Sequence, residues 1–385
     1  MRGTASHDMG ATRNWLNQFS RILRMAIPHN PEPLWFCIRE VIMSSCRLFH
    51  FLSASLAFLV CVGCETGLTS GNSNLHILSY NVQTLFDPVD DGHEYKEFLT
   101  GGGAWGPAQY RKRLTALAEA VRASVPTGPD ILIFQELENR NVLSDLAAAI
   151  APGKYPYLAI SDSEDATLSC GVASRLPFSQ LRAHRYRPSM GGPASVPRFV
   201  LECVIDTGSG ESISLFVTHW KSKLGGERET SPERQMAASL IMRLVEQRLF
   251  ADPAAAIIVA GDLNCDPADY LKSGEAYPSA LMSKDHGPGP WITYTFDREG
   301  FDTDFPVLYS PWEDYGGYSY MYEGKRERID HFLLSPAMAR SLISFDASPA
   351  SFLVDAAGMP SRWNPGLVQG YSDHLPIRIT VRISK

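Results

Sequence analysis

A series of apolar, strand-like segments, each ending in polar side chains, constrains the fold of this chain more than any other feature. In chain order the segments are LSYNVQTLFD with Asn81, FQELEN with Glu136, FVTHWKSK with His219, GDLNCDP with Asp262 and Asn264, RIDHFLLS with Asp330, and YSDHLPI with Asp373 and His374. Because the ends of neighbouring strands meet at one edge of a sheet, such side chains can converge on one crevice. The series therefore predicts one large domain that gathers a single site from distant parts of the chain.

The order of the predicted elements indicates a mixed fold. Strands and helices alternate at first, three consecutive strands follow (LSCGVASRLPF, PRFVLECVI and SISLFVTHW), and alternation then resumes. RKRLTALAEAVRAS has the apolar period of a helix, and SPERQMAASLIMRLVEQRLF is predicted to be a long helix with Ser231 at its cap and Pro232 in its first turn. Residues 266–325 are rich in Pro, Gly and aromatic residues and are predicted to be mainly loop. We predict an α+β fold with antiparallel strand pairing.

Composition and charge limit the class of protein. Of the 385 residues, 44% are hydrophobic and 20% are charged, which is ordinary for a globular protein with a large core. The formal net charge is −7, and since the first 63 residues hold more basic than acidic residues, the rest of the chain is more acidic still. An acidic body argues against a tight nonspecific nucleic-acid binder, although acids that hold a metal ion would be offset by it. Cys170, Cys203 and Cys265 are too widely spaced for a disulfide framework and are predicted to be buried thiols.

The front of the chain has the composition of an export signal. Residues 43–64 contain a basic start, an apolar stretch shorter than the ~20 residues that span a bilayer, and small residues before Cys64. The ending VGCE suggests a lipobox, so we expect an exported lipoprotein anchored to the membrane through Cys64. A plain secretory signal, which would leave the protein periplasmic or secreted, and an ordinary buried helix are the alternatives. Residues 1–42 are predicted to be a spurious or disordered extension, residues 65–74 a linker, and residues 75–385 the domain that carries the site.

The carboxylates and amides at the strand ends suit a metal-dependent site. Oxygen ligands such as those of Asn81 and Glu136 favour hard divalent cations. Asp262 and Asn264 follow the small-residue run Val-Ala-Gly, which would let a ligand approach the backbone closely. There Asp262 could orient or deprotonate a water, and Asn264 could donate to a phosphate oxygen. Taken singly, Asn81 is better explained as a turn residue, and Glu136 as a solvated strand end.

Two histidines and the charged residues near them add groups suited to phosphate. His219 is followed by Lys221 and Lys223, which either supply donors and positive charge or are simply solvated. His374 lies between two apolar stretches, and a carboxylate partner such as Asp330 would raise its basicity and fix its tautomer. A lone histidine is more often structural, but two histidines among several acids and asparagines at strand ends indicate a site.

The motifs NVQTLFD, QELEN, HWKSK, GDLN and SDHLP, in this order over about residues 75–383, resemble the endonuclease/exonuclease/phosphatase superfamily. The resemblance implies a DNase I-like fold, which is a four-layer α/β/β/α sandwich. It also implies a divalent cation, Mg²⁺ or alternatively Mn²⁺ or Ca²⁺, held near Asn81, Glu136 and Asp373. Gln83 departs from the pattern of some abasic endonucleases, which carry an acid there.

The same resemblance implies roles for the remaining motif residues. Asp262 resembles the residue that positions or activates the attacking water, and Asn264 and His219 resemble donors to phosphate oxygens. His374 is implied to contact the scissile phosphate, with Asp330 as its orienting carboxylate. The implied reaction is one in-line displacement by water at phosphorus, without a covalent enzyme intermediate.

Three functions are compatible with the sequence. The first is an exported phosphodiesterase or phosphatase for a small or lipid phosphate ester, favoured by the acidic body and by the aromatic residues of segment 291–322. The second is an extracellular nuclease for DNA or RNA, in which Lys221, Lys223 and Arg111 would bind the substrate with the rest of the basic run 111–113. The third is a non-enzymatic surface-binding protein, which would predict decay of motif positions that are all filled here. We expect a monomer.

Overall fold

Sixteen strands and five α-helices make up the described part of the chain in a computed structural model, which describes residues 73–100, 105–161, 167–186, 198–208, 210–313 and 315–384. The strands are β1 (Ser73–Leu85), β2 (Ile131–Leu137), β3 (Tyr157–Ile160), β4 (Ser169–Ser174), β5 (Phe178–Tyr186), β6 (Arg198–Asp206), β7 (Ser212–His219), β8 (Ala256–Asp262), β9 (Leu281–Ser283), β10 (Ile292–Thr295), β11 (Leu308–Tyr309), β12 (Tyr320–Tyr322), β13 (Lys325–Glu327), β14 (Asp330–Leu334), β15 (Leu342–Asp346) and β16 (Ile377–Ile383). The α-helices are α1 (Pro107–Ser124), α2 (Arg140–Ile150), α3 (Glu227–Ala251), α4 (Asp269–Lys272) and α5 (Pro336–Ser341).

The strands form two large sheets and one short hairpin. The six-stranded sheet has the order β15-β16-β1-β2-β4-β3, and the eight-stranded sheet has the order β5-β6-β7-β8-β14-β11-β10-β9. β12 and β13 pair with each other as a separate hairpin. Near the centre of each sheet two strands run parallel, β1 with β2 and β7 with β8. Because parallel strands end at the same edge, each sheet presents two neighbouring strand ends where polar side chains can meet.

The two sheets pack face to face, with helices on both outer sides. Apolar side chains from both sheets, among them Ile77, Ile133, Val217 and Phe332, fill the layer between the sheets. α1 and α2 pack against the other face of the six-stranded sheet. α3 packs against the other face of the eight-stranded sheet. The arrangement is a four-layer α/β/β/α sandwich, so the predicted α+β, DNase I-like fold class is confirmed.

The helical period of the sequence matches the buried faces of the helices. Leu114, Leu117, Ala118 and Val121, which have helical spacing, all lie on the buried face of α1. α2 begins at a side-chain cap, because Asn139 accepts hydrogen bonds from two backbone N–H groups of the first turn. Apolar spacing and capping chemistry therefore locate both helices on the outside of the six-stranded sheet.

α3 begins earlier than the sequence predicts. The helix starts at Glu227 after Gly226, so Ser231 and Pro232 both lie inside it and the prediction of Ser231 as the cap is wrong. The acidic residues Glu227 and Glu229 in the first turn suit the positive end of the helix dipole. A Ser-Pro pair is typical of a helix start, but here the charged segment before it is already helical.

Two other segments differ from the prediction. LSCGVASRLPF, predicted as one strand, contains β4 of the six-stranded sheet and ends at Phe178, the first residue of β5 in the eight-stranded sheet, because the chain turns between them. Ser174 stabilises this turn by hydrogen bonds to both the N–H and the carbonyl of Leu176. Residues 266–325 hold α4 and the short strands β9 to β12 as well as loops. Strands of two to four residues carry too little alternation to be predicted from their sequence.

Gly261 is required by the backbone itself. Its φ is +135°, and a Cβ at this position would lie 2.0 Å from the carbonyl oxygen of Thr218 on the neighbouring strand β7. The absent side chain therefore allows β7 and β8 to pair closely just before Asp262. The sequence suggested a different reason, namely that the small residues before Asp262 let a ligand approach the backbone.

Several predictions concern the front of the chain. Those for residues 1–42, for the signal segment with Cys64 and for residues 65–72 of the linker lie outside the described residues. The last two residues assigned to the linker belong to β1, which begins at Ser73. All described residues fall within one compact unit, Ser70–Lys385. Within that described part, no helix has both the length and the apolar character needed to cross a membrane.

The three cysteines of this unit are free thiols. Cys170, Cys203 and Cys265 are all buried, as the sequence predicts. Burial raises the pKa of Cys170 to about 12, so its thiol stays protonated at neutral pH.

Candidate active site

The central strand ends open into one cavity of about 380 Å³. Six of the predicted site residues line it, and these are Glu136, His219, Asp262, Asn264, Asp373 and His374. The other two, Asn81 and Asp330, contact lining residues through hydrogen bonds to Glu136 and His374. The structure thus brings together all eight residues that the strand-end pattern singled out.

Strand register explains how these residues meet. Asp262, the last residue of β8, lies opposite His219 at the end of the parallel strand β7 and opposite Asp330 at the start of the antiparallel strand β14. On the other sheet, Asn81 of β1 lies opposite the residue that precedes Glu136 on β2. Each sheet therefore supplies part of the site, and face-to-face packing joins the two parts.

Asp262 lies at the centre of the cluster. Its carboxylate accepts a hydrogen bond from the Asn81 amide at 3.0 Å, and its Oδ2 lies 3.5 Å from His219 Nε2 and 3.6 Å from His374 Nε2. The side chain is buried, and burial raises the pKa of Asp262 although His374 acts in the opposite direction. A carboxylate with a raised pKa is a better proton acceptor, as general base catalysis requires.

Asn81 links two carboxylates. Its Nδ2 donates to Glu136 Oε1 at 2.9 Å and to Asp262 Oδ2 at 3.0 Å, while its Oδ1 accepts from the Gln83 N–H at 3.0 Å. In this arrangement the amide nitrogen, rather than the oxygen, faces the carboxylates. A metal bound to Asn81 would require the amide to turn over, so its role as a ligand stays a prediction.

Glu136 and Asp373 form the most acidic part of the cavity wall. Glu136 has a φ of +67°, a left-handed conformation that costs about 1–3 kcal/mol for a residue other than glycine. Its Oε2 accepts a 2.8 Å hydrogen bond from the Thr84 N–H, which helps to hold it there. Burial raises the pKa of Glu136, and the charge of Asp373 raises it further. A cation here would offset this unfavourable charge, and carboxylate oxygens are the ligands that Mg²⁺ prefers.

His374 and Asp330 form a buried pair. His374 Nδ1 lies 2.8 Å from Asp330 Oδ2, and the imidazole packs against the ring of Tyr320 with 4.8 Å between centroids. Burial alone would lower the pKa of His374, but the carboxylates of Asp330 and Asp262 outweigh it and hold the pKa well above its usual value. The ring is therefore held as an imidazolium, a strong donor for an anionic oxygen.

His219 and Asn264, the two predicted phosphate donors, are held differently. Burial lowers the pKa of His219, and the positive charges of Arg198 and His374 lower it further, so this imidazole is neutral. Asn264 has a φ of +47°, its backbone N–H donates to Asp262 Oδ1 at 2.9 Å, and its Nδ2 donates to the Trp220 carbonyl at 3.2 Å. Both side chains lie at the cavity, and their roles as donors stay predictions.

The three residues predicted to bind substrate are not among the described residues that line the cavity. Lys223 lies 2.9 Å from Asp269, whose charge outweighs the effect of burial and raises the pKa of the lysine. Lys221 is directed toward nearby backbone and hydroxyl oxygens. Arg111 is exposed on α1, whereas Arg113 of the same basic run is fully buried and donates to backbone carbonyls. Arg113 thus cannot line a groove, and the roles of the other three stay predictions.

The cavity also contains residues that the sequence does not single out as a site. Arg198, Tyr95 and Tyr320 line it, and Arg198 is its single lysine or arginine among the described residues. Arg198 Nη1 donates to the carbonyl of His219 at 3.2 Å, which fixes the arginine beside the predicted donor. No motif marks Arg198, since it is a lone basic residue at the start of a strand. Tyr320 belongs to the aromatic segment that favoured a compact substrate.

Gln83 has a structural role that its position in the motif does not reveal. Its Oε1 accepts hydrogen bonds from the backbone N–H of Trp363 at 2.8 Å and of Asp373 at 3.0 Å. Its Nε2 donates to the Trp363 carbonyl at 3.1 Å. The glutamine therefore fixes the loop that brings Asp373 to the cavity.

The family model with which the sequence agrees is that of the Endonuclease/Exonuclease/phosphatase family, which matches residues 76–285. This range is more than half of the chain and includes site residues from Asn81 to Asn264. No curated protein sequence matches the chain significantly.

Three solved structures are similar to this chain at low sequence identity. An endonuclease/exonuclease/phosphatase family protein from Bacteroides thetaiotaomicron is 16% identical over 82% of this chain and 96% of its own, with a TM-score of 0.50. Truncated TDP2 from Caenorhabditis elegans is 18% identical over 80% of this chain and 98% of its own, with a TM-score of 0.48. Sphingomyelinase C from Streptomyces griseocarneus is 18% identical over 80% and 99%, with a TM-score of 0.44. The first of these similarities shows a shared fold.

Proposed function

Because this chain belongs to the endonuclease/exonuclease/phosphatase family, whose members hydrolyse phosphate esters, we propose that it is an exported, Mg²⁺-dependent phosphodiesterase or phosphatase for compact phosphate esters. The observation that carries the proposal is the surroundings of Asp262. This buried carboxylate has the Asn81 amide at 3.0 Å and two imidazoles at 3.5 and 3.6 Å, and the carboxylate and both imidazoles line one cavity. Such a group of proton acceptor and donors matches the needs of phosphoryl transfer to water.

The residues present suit a divalent cation. Glu136 and Asp373 would hold it, because both line the same cavity and the pKa of Glu136 is raised by burial and by Asp373. When bound, Mg²⁺ supplies positive charge that offsets charge developing on the phosphate. Mn²⁺ is the alternative ion with similar ligand preferences.

The remaining chemical roles, a proton acceptor and donors to phosphate oxygens, fall to side chains of the protein. Asp262 accepts the proton of the attacking water, for which its raised pKa suits it. His374, held as an imidazolium by Asp330, donates to a phosphate oxygen. His219 and Asn264 offer neutral donors at the same cavity. Since these groups are fixed by strand ends, little reorganisation is needed as charge develops at phosphorus.

The shape and charge of the cavity favour a compact substrate. Its volume of about 380 Å³ is in the range of small-molecule sites. Of the described lining residues, Arg198 alone carries a permanent positive charge. A nucleic-acid groove needs a row of basic side chains that follows the phosphate backbone. The single arginine, with Tyr95 and Tyr320 on the same wall, fits one phosphate group with an apolar or planar substituent.

A substrate panel with two matched variants tests this assignment. With Mg²⁺ present, we expect turnover of a chromogenic phosphodiester, sphingomyelin or inositol phosphates to exceed turnover of plasmid DNA and RNA. Arg198→Met should raise the KM for the best compact substrate by about tenfold, the effect of one lost charged hydrogen bond. Lys221→Met, which removes a charge outside the cavity, should leave that KM unchanged. Preference for DNA or RNA, together with greater sensitivity to Lys221→Met, would instead establish a nuclease.

Gln83 should set the affinity for the metal through Asp373. Gln83→Ala removes the acceptor that fixes the Asp373 backbone, so we expect the Mg²⁺ concentration for half-maximal activity to rise by about 10–100-fold. Gln83→Glu keeps the acceptor oxygen and should restore much of that affinity. The measurement is a Mg²⁺ titration of initial rates, with melting temperatures as a control for folding. Equal Mg²⁺ dependence in wild type and Gln83→Ala would show that the hydrogen bonds of Gln83 are not needed to hold Asp373 for metal binding.

Export rests on the composition of residues 43–64, and we propose lipidation at Cys64 with membrane anchoring as the localisation. Intact-mass analysis of the protein purified from its native host tests this. A mature chain that begins at Cys64 and carries acyl mass is the expected result. An unmodified cysteine at this start would leave plain secretion, and a chain that still begins at Met1 would contradict export by this signal.

A further inference from the structure

A second group of acids lies outside the catalytic cluster. One carboxylate oxygen each from Asp91, Glu94 and Glu138 lie within 4.8 Å of one another. Asp91 and Glu94 belong to the loop between β1 and α1, and Glu138 directly follows β2. Two segments that are distant in sequence therefore present oxygen ligands to one point.

Glu138 distinguishes this group from an ordinary cluster of surface acids, because it is buried. Its side chain is buried, with 5% of the residue exposed, and its Oε1 has no hydrogen-bond partner. Its other oxygen, Oε2, accepts from the Asp87 N–H at 2.6 Å, so only one end of the carboxylate is satisfied. A buried carboxylate oxygen without a partner is costly, because it has lost water and gained nothing in return. A positive group at this point would give that oxygen a partner and offset the negative charge.

Protein cations do not supply that group. Within the described residues, no lysine or arginine forms an ion pair with Asp91, Glu94 or Glu138. Asp87 and Asp90 add further negative charge to the same loop. The oxygens of Glu94 each accept one backbone N–H of the loop, from Asp91 and Gly92, and the Glu94 carboxylate also lies close to that of Asp91. Two like charges are therefore held near each other in this loop.

We propose that Asp91, Glu94 and Glu138 bind Ca²⁺ at a structural site separate from the active site. Ca²⁺ takes six to eight oxygen ligands in flexible geometry, so water and loop carbonyls can complete a site of three carboxylates. Mg²⁺ demands near-ideal octahedral geometry and gives up its water reluctantly, which suits it less to a partly exposed loop.

The position of the site gives it a consequence for the cavity. Tyr95, which follows Glu94 directly, lines the active-site cavity and packs edge-on against Phe86 with 5.4 Å between centroids. A cation that joins Glu94 to Glu138 ties this loop to the end of β2, two residues beyond Glu136. Ca²⁺ would thus hold the Tyr95 wall in place without taking part in the reaction.

Terbium luminescence provides a test that does not depend on activity. Tb³⁺ replaces Ca²⁺ at oxygen sites. We expect Trp105 to sensitise it, because the Trp105 Nε1 donates to the Asp87 carbonyl at 3.1 Å and the Asp87 N–H donates to Glu138. The full chain would carry Asp373→Asn, which weakens cation binding at the active site. We expect sensitised emission that Ca²⁺ removes with a Kd of about 10⁻⁴–10⁻³ M, as for extracellular calcium modules.

Variants of the loop distinguish Ca²⁺ binding by these three carboxylates from nonspecific attraction of a cation to acidic residues. Glu94→Gln and Asp91→Asn remove proposed ligands at partly or fully exposed positions, and each should weaken Ca²⁺ binding by at least about tenfold. Asp90→Asn is the matched control, because Asp90 is in the same loop but binds Thr100 instead. It should leave the Ca²⁺ affinity nearly unchanged. Absence of sensitised emission, failure of Ca²⁺ to displace Tb³⁺, or equal affinities in Glu94→Gln, Asp91→Asn and Asp90→Asn would overturn the proposal.

Discussion

Asp262→Asn is expected to lower kcat by about 10²–10⁴-fold, the usual effect of losing a general base. The amide is the same size as the carboxylate and can keep a contact with Asn81, but it cannot accept a proton from water. Because substrate contacts at the cavity are retained, the KM should change little. Steady-state rates on a chromogenic phosphodiester at saturating Mg²⁺ measure both parameters.

Asp266→Asn is the matched control for this variant. Asp266 is also a buried acid in the same segment, but its carboxylate accepts from the backbone N–H groups of Arg328 and Ala268 and is absent from the described cavity lining. We expect this variant to lower the melting temperature and to retain kcat. If Asp266→Asn and Asp262→Asn lost the same fraction of kcat, the effect at Asp262 would reflect folding rather than chemistry.

His374→Ala is expected to lower kcat by about 100-fold, equivalent to about 2.7 kcal/mol, because one charged donor to the phosphate is lost. Asp330→Asn should cause similar damage, since the amide cannot hold the imidazolium that the carboxylate stabilises at 2.8 Å. The neighbouring His331 is also buried, but its Nε2 contacts the Cys265 carbonyl at 2.9 Å. His331→Gln should therefore affect stability more than kcat.

The double variant of His374 and Asp330 tests whether the two act as a pair. If Asp330 works only through His374, the double variant should lose little more than either single variant. Melting temperatures of all three variants control for loss of fold. Strictly additive losses of activation free energy would show that the two residues act independently and that the pairing has no catalytic meaning.

The convergence of the site was predictable because it depends on strand ends. Asp262, His219 and Asp330 each end or begin an apolar run, and the register of β7, β8 and β14 places them side by side. Any fold that packs these runs as neighbouring strands brings their polar ends together. The fold class followed from the same runs and from the helical period of α1.

Contacts between residues distant in sequence were not predictable. Gln83 stands where some relatives carry an acid. In the structure its side chain accepts hydrogen bonds from the backbone N–H groups of Trp363 and Asp373, 280 and 290 residues away. Arg113 looks like its exposed neighbour Arg111, but it is buried and donates to the backbone carbonyl of Val82, 31 residues away. Arg198 carries no motif at all. Such roles depend on how loops pack together, which local periodicity does not encode.

The orientation of side chains could not be predicted from the sequence either. Asn81 was predicted as a metal ligand from its residue type and position, but its Nδ2 donates to both Glu136 and Asp262 in the structure. The sequence indicates an amide near acids at the strand ends, whereas the hydrogen-bond network decides which of its atoms faces them.

Metal dependence and the role of Asp262 are tested most directly by the turnover of a chromogenic phosphodiester. Wild type and Asp262→Asn are compared after divalent cations are removed with EDTA. We predict that wild-type turnover is abolished and then restored by Mg²⁺ or Mn²⁺, because Glu136 and Asp373 offer a hard, oxygen-based cation site. Asp262→Asn should stay at least about 10²-fold slower at every Mg²⁺ concentration. Full wild-type activity in chelator, with the protein shown to be free of metal, would contradict the assignment of this cavity as a metal-dependent phosphoesterase site.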